Sequence, residues 1–201
     1  MNRIKLLVLK FLINLIDSFE ASRNLYLKKE LTSKLKKVGT SFRIDKEFKI
    51  INPKYVEIGH NFSCKQRIRI EAIYQYNSHF FSPLISIGNN VSFNSDIHIG
   101  CIDSIRIGDN CLFASRIFIS DHNHGDSSFE MLKMVPEDRP LISKGPVVIK
   151  NNVWVGEGVA ILSGVTIGEN SIISTNAVVT KSVPPNVVVG GVPAKIIKYI
   201  K

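Results

Sequence analysis

Cysteine is scarce in this 201-residue sequence, which holds only Cys64, Cys101 and Cys111. An odd number closes no disulfide framework and none of the spacings is that of a zinc site, so a reduced, cytoplasmic protein is expected. Tryptophan occurs once, at Trp154. No aromatic-plus-basic stretch, zinc finger or recognition helix marks a nucleic-acid reader, and nucleic acid is not expected as a partner. An apolar run of bilayer length is also missing. Lys10 and Asn14 interrupt the one candidate, "MNRIKLLVLKFLINLIDSFE", and no small-residue cleavage site follows Ile16. Acids are few as well, 17 against 26 Lys and Arg. The imbalance is local: residues 1–49 hold twelve basic and five acidic side chains, +7 of the formal +9.

That basic segment, 1–49, is set apart from a domain over 50–201 with a short C-terminal tail. Within it Leu6, Leu9, Ile13 and Ile16 recur at helical spacing and predict an amphipathic helix. Its roles are packing on its own domain or on a neighbouring subunit, or peripheral attachment to anionic lipid at the inner face of the cytoplasmic membrane. Arg3, Lys5 and Lys10 would aid the latter.

After Lys49 a different rule holds. Every sixth residue from Ile149 is Ile149, Val155, Ile161, Ile167, Ile173 and Val179; four places after each stand Val153, Val159, Val165, Ser171, Ala177 and Val183. At 44% hydrophobic content, six apolar residues in six such places arise by chance in roughly one try in a hundred. Ile87, Phe93 and Ile99, then Ile107, Phe113 and Ile119, obey the same period, with a slip of two placed at Ser104–Arg106. "IGHN", "IGNN", "IGDN" and "IGEN" mark recurrent corners. Period six is neither helix nor alternating strand. It fits short flat strands joined by turns, where Gly, Asn and Asp accept left-handed backbone at low cost, and stacked coils then bury a continuous Ile/Val core.

One interval breaks the repeat. "SDHNHG", Ser120–Gly125, opens a long insertion that ends before "VVIKNNVWVG". An extruded loop is predicted near 125–145, and its Phe129, Met131, Leu132, Met134 and Val135 suit packing on a neighbouring subunit. The paired histidines at its base could be metal ligands, a proton relay or polar residues at a loop mouth.

Residues 147–197, above all "NNVWVG" and "VPPNVVVGGVPAK", resemble the coenzyme A-binding end of bacterial hexapeptide-repeat acetyltransferases. The likeness extends over roughly residues 50–200. It is greatest to maltose and galactoside O-acetyltransferases and to their relatives in O-antigen and exopolysaccharide biosynthesis, where "SDHNHG" also occurs. The resemblance implies an all-β fold, a left-handed parallel β-helix of hexapeptide repeats, and a homotrimer with active sites in clefts between prisms. It implies an acetyl-CoA-dependent sugar O-acetyltransferase acting on a sugar or glycan in lipopolysaccharide, capsule or exopolysaccharide biosynthesis, with no metal.

Laid on the family's corner at "IGDN", the sequence puts His124 on the catalytic histidine, Asn94 on an acceptor-contacting asparagine and Trp154 on the tryptophan beside the reaction centre. A sugar hydroxyl is a poor nucleophile at neutral pH and needs a base, for which neutral imidazole is suited. His124 is expected as that base, with His122 as its neighbour and Asp121 orienting a histidine or binding the acceptor. Coenzyme A is assigned to Trp154, Gly156, Ser174, Thr175, Thr180, Lys181, Gly190, Gly191, Lys195 and Lys198, lysines meeting phosphates as point charges. The chain departs from relatives that carry Gly-Ala at Ser174-Thr175 and Arg at one or both of Lys195 and Lys198. Alternatives are an N-acetyltransferase of an amino or nucleotide sugar, a zinc enzyme of the γ-carbonic-anhydrase kind, and a non-catalytic β-helical module.

Overall fold

Period six arises because each turn of the chain lays one short strand into each of three sheets, with one large side chain per strand pointing inward and a second buried residue two places before it. The computed structural model describes residues 3–201, so the first two residues of the predicted basic segment lie outside it. Strands of successive coils pair in parallel, and their inward residues form three columns. The first runs Val38, Ile58, Ile87, Ile107, Ile149, Ile167. The second runs Ile44, Cys64, Phe93, Phe113, Val155, Ile173, Val189. The third runs Ile50, Ile70, Ile99, Ile119, Ile161, Val179. From the second coil onward every member is buried. The result is a parallel β-helix with a continuous dry core.

Two corners of the prism are regular. At the one between the first and second sheets, Asn61, Asn90, Asn110, Asn152, Asn170 and Asn186 adopt left-handed backbone. Their amides form a ladder, each Nδ2 donating to the Oδ1 one coil on at 2.9–3.2 Å. Asparagine is thereby selected twice, for tolerance of positive φ and for a side chain that replaces water along the stack. The glycine of each "IG" pair has a packing reason, since a Cβ on Gly59 would lie 2.6 Å from the Gly88 backbone. Ser171, an alcohol in an apolar position, is buried with its hydroxyl donating to the Pro184 carbonyl at 2.8 Å.

The third corner takes all the irregularity. Up to the Val179 strand, the chain leaves period six only between Ile50 and Ile58, Ile70 and Ile87, Ile99 and Ile107, and Ile119 and Ile149, each time passing from third sheet to first. The slip expected at Ser104–Arg106 lies earlier, in the turn before Ser104, because Ser104–Ile107 is itself strand. An antiparallel hairpin, Gln75–Tyr76 with His79–Phe80, sits here too and was not anticipated. The loop near 125–145 is ordered: Asn123–His124 pairs antiparallel with Leu141–Ile142 at its base, and Phe129–Leu132 forms one helical turn.

Two boundaries differ from expectation. The chain divides into compact units at Lys34/Leu35 rather than at 49/50, because Lys37–Ile51 already forms a coil; Val38, Ile44 and Ile50 keep the period among charged neighbours. The C-terminal tail is a strand, Lys195–Tyr199, antiparallel to Val187–Gly190. The other unit is one helix, Arg3–Lys34, and no helix among the described residues is long and apolar enough to cross a membrane.

Phe113 packs edge-on to Phe93 at 4.8 Å in the second column and is fully buried. Phe113→Ala should cost about 3–5 kcal/mol by denaturant titration, whereas Arg106→Ala, on the outer face of the first sheet, should change stability by less than about 0.5 kcal/mol.

Candidate active site

Strand Ile117–Ser120 ends the third sheet at the irregular corner, and the next residue, Asp121, turns inward to 0% exposure. A buried carboxylate must be compensated, and the preceding coil supplies the donors. Its extra residues there offer the Ile102 N–H to Oδ1 at 2.9 Å, the Asp103 N–H to Oδ2 at 2.8 Å and the Cys101 thiol to Oδ2 at 3.2 Å. The phase slip thus has a use. Burial alone would push Asp121 up, but hydrogen bonds from His122, from these two amides and from Cys101 outweigh it and hold the carboxyl below its ordinary value.

His122 completes the shell, its Nδ1 lying 3.0 Å from Asp121 Oδ1. An ionised carboxylate can only accept, so Nδ1 carries a proton, and in the neutral ring Nε2 then holds the lone pair. Nε2 has no hydrogen-bond partner among the described residues. The ring lies over Gly100 of the neighbouring coil, where a Cβ would stand 3.1 Å from His122 Cε1. Ser120 Oγ fixes the local turn by donating to the His122 carbonyl at 2.9 Å. His124 has different surroundings. It is exposed, stands on the antiparallel pair at the base of the loop, and meets the Tyr76 ring edge-on at 5.2 Å.

Both histidines line a cavity of about 500 Å³ with Arg69, Glu71, Tyr76, His98, Phe118 and Leu141. Asn123 borders it too; Asp121 lies beneath. The hairpin and the loop wall it jointly, through a hydrogen bond from the Tyr76 hydroxyl to the Glu137 carbonyl. Glu71, His98 and Arg69 were missed by sequence reasoning. Glu71 Oε2 accepts from Arg69 at 2.7 Å and from His98 Nε2 at 3.0 Å. Burial pushes its carboxyl up, but these partners outweigh it and leave the carboxyl below its ordinary value. The signal was available. Ile70 and Ile99 point inward, so 69, 71, 98 and 100 point out, and strand register stacks Arg69 on His98 on Phe118, and Glu71 on Gly100 on Ser120.

A second cavity, of about 360 Å³, brings together Trp154, Gly156, Ser174, Thr175 and Lys198 from the residues assigned to coenzyme A. Gly156 is confined, since a Cβ there would lie 2.7 Å from the Thr175 amide nitrogen, and Gly190 packs against Ser174. Lys195 pairs with Gly190 on the closing hairpin. Thr180, Lys181 and Gly191 are exposed and line neither cavity; Asn94 is exposed at the corner between second and third sheets. The two cavities share no residue. Among the described residues no three His, Cys, Asp or Glu side chains group as a metal site, and both Asp121 oxygens are already taken by donors.

Residues 146–181 match the family described as Bacterial transferase hexapeptide (six repeats). WbbJ of Escherichia coli (strain K12), named as a lipopolysaccharide biosynthesis O-acetyl transferase, is 38% identical over 152 residues, 74% of each chain. Galactoside O-acetyltransferase of the same strain is 33% identical over 162 residues, 78% of this chain and 70% of that one. A solved galactoside acetyltransferase in complex with coenzyme A superposes with a TM-score of 0.56 at 26% identity, over 87% of this chain and 70% of that one.

Asp121→Asn keeps the shape but turns an amide N–H₂ toward donors. It should cost about 1–3 kcal/mol at pH 7. Because the folded carboxyl lies below its unfolded value, the wild-type advantage is complete above the ordinary carboxylate range and is lost as pH falls through the folded value. Denaturation midpoints of the two proteins should therefore converge on acidification; a gap that stays constant to low pH would show that Asp121 is not held ionised.

Proposed function

The chain belongs to the bacterial hexapeptide-repeat acyltransferases, and on that premise we propose that it moves the acetyl group of acetyl-CoA onto a hydroxyl of a sugar or glycan. The class of acceptor rests on the names of the two Escherichia coli relatives, one of which points to lipopolysaccharide and related polysaccharide biosynthesis. Cysteine usage adds a cytoplasmic setting to the same reading.

The observation that carries the mechanism is the buried Asp121–His122 pair with a free Nε2 at the cavity. His122 Nε2 takes the hydroxyl proton as the sugar oxygen attacks the thioester carbonyl. The C–S bond then breaks, and the imidazolium returns a proton to the departing coenzyme A thiolate. Asp121 holds the tautomer and stabilises the imidazolium, a division of labour typically worth ~10²–10⁴-fold for the base alone. This reverses the order expected from register. His124 has no carboxylate to orient it and stands exposed beside Tyr76, where contact with the acceptor suits it better. Glu71, with Arg69 and His98, adds a charged wall for that acceptor.

Trp154, Ser174, Thr175 and Lys198 suit a long anionic donor, with lysine for phosphate and small residues where the chain passes close. In one chain, donor and histidine cavities lie on different sheets. We therefore include a homotrimer of left-handed prisms, the second sheet of one copy facing the third sheet of the next. Matching apolar rows support it. Leu112 (49% exposed), Trp154 (51%), Ile172 and Val188 stack on the outside of the second sheet; Phe118 (39%), Ala160 and Val178 stack on the outside of the third. The loop side chains Phe129, Leu132 and Val135, exposed in a single chain, would cover a neighbour in the same assembly.

An acetyl-CoA consumption screen against surface-glycan sugars, with mass spectrometry of the product, tests the reaction. His122→Ala should lower kcat by ~10²-fold or more with acetyl-CoA binding intact, and His124→Ala should act mainly on the acceptor's KM. Chelators should leave the rate unchanged. A dead His124→Ala beside an active His122→Ala would restore the order read from register. Sedimentation should give three copies; a fully active monomer would exclude the shared site.

A further inference from the structure

The helix Arg3–Lys34 has two apolar faces, and spacing picked out only the narrower. At about 100° per residue, Leu6, Leu9, Ile13 and Ile16 form one stripe, while Leu7, Val8, Phe11, Leu12, Leu15 and Phe19 fill a second arc of roughly 140°. Every member of that arc is exposed, Phe11 at 66% and Phe19 at 69%. Its borders are cationic. Lys5 stands at the edge beside Leu12, and Arg3 and Lys10 stand at the edge beside Leu7.

We propose that this wide arc binds the surface of an anionic lipid bilayer, with Lys5 on one border and Arg3 and Lys10 on the other reaching lipid headgroups. Lysine and arginine can lay their apolar stems along an immersed face and lift the charge to headgroup level. Placed on both borders, they match a helix lying in the interface. The arc from Leu7 to Phe19 extends about 20 Å, short of the ~30 Å hydrocarbon core, so the helix lies on the bilayer and does not cross it. A second copy is the poorer occupant. Two such faces packed together would set cationic borders against each other, whereas anionic headgroups complement both. The helix Arg3–Lys34 itself holds seven Lys or Arg against three acids, a net +4, which extends the attraction beyond the borders. The proposal is independent of the reaction and is read without turnover.

Full-length protein should sediment with vesicles of phosphatidylcholine and phosphatidylglycerol, and far less with phosphatidylcholine alone. Raised salt should weaken the binding. Phe11→Asp with Leu15→Asp should lower vesicle affinity at least about tenfold, leaving oligomer size and acetyl-CoA turnover unchanged. Lys5→Glu with Lys10→Glu, which preserves the apolar arc, should lower affinity only for the anionic vesicles. Ile13→Ser, on the other stripe, should still bind. Failure of the wild type to bind anionic vesicles would overturn the proposal. So would an aspartate variant that loses mass in sedimentation velocity while keeping its vesicle affinity, which would assign the arc to a second copy.

Discussion

The structure depends on one packing constraint. A three-sided coil has room for two inward side chains per six-residue rung, two places apart, and the next coil must present its own at the same heights. Columns of Ile, Val and Phe follow. A surplus can leave only at a corner, and here each does so at the same one. Two corners are left free to be regular, one of them carrying the asparagine ladder. The third accumulates a hairpin, a short bulge and a long loop at successive levels, and together they make a cavity that no single coil could form. Regularity elsewhere is what makes that irregular corner rigid.

Asp121 shows the cost and the use of breaking the rule. It is a charge placed where the repeat would turn away from the core, and its carboxylate persists because the preceding coil's surplus amides point at it. Those amides are free to point there because Ile102 and Asp103 form a turn between two strands. The deviation in one coil therefore serves the residue of the next, and the imidazole of His122 is held by a group that is itself fully constrained. An exposed acid, screened by water, would orient the ring less firmly. Gly100 belongs to the same device, because the ring needs the space that a side chain there would take.

How much of this was legible follows from how each signal is encoded. Ile149 to Val179 carry the period in uninterrupted Ile and Val, so the stack could be read directly. Val38, Ile44 and Ile50 carry it too, but between lysines, arginines and acids, and the first coil was read as part of the helical segment. Asn90 and Asn110 announced left-handed corners by residue type alone. The hairpin at Gln75–Phe80 had no such announcement, since a two-residue antiparallel pair leaves almost no pattern. The different surroundings of His122 and His124 were beyond sequence for a more specific reason. Two residues apart, they differ only in what comes from other coils: Asp121's amide donors, Gly100's missing side chain and Tyr76 of the hairpin. Glu71 and His98 were recoverable, because inward Ile70 and Ile99 fix their neighbours as outward.

Positions on such a scaffold are set by counting coils. Adjacent strands lie about 4.8 Å apart, so groups on neighbouring rungs of the third sheet are fixed relative to one another by backbone hydrogen bonds. Glu71, Gly100 and Ser120 occupy three consecutive rungs, with His122 folded back over the middle one. Glu71, Gly100 and Ser120 therefore keep their spacing through backbone pairing alone, whatever the hairpin and loop do above them. The hairpin and loop, tied by Tyr76 to Glu137, reach the cavity without contributing to the columns. Residues there line the cavity, while Asp121 is held by amides of the coil beneath and His122 by Asp121. The corner thus has two separable parts, the chain that the coil expels and that closes the cavity, and the rungs whose register the backbone fixes beneath it.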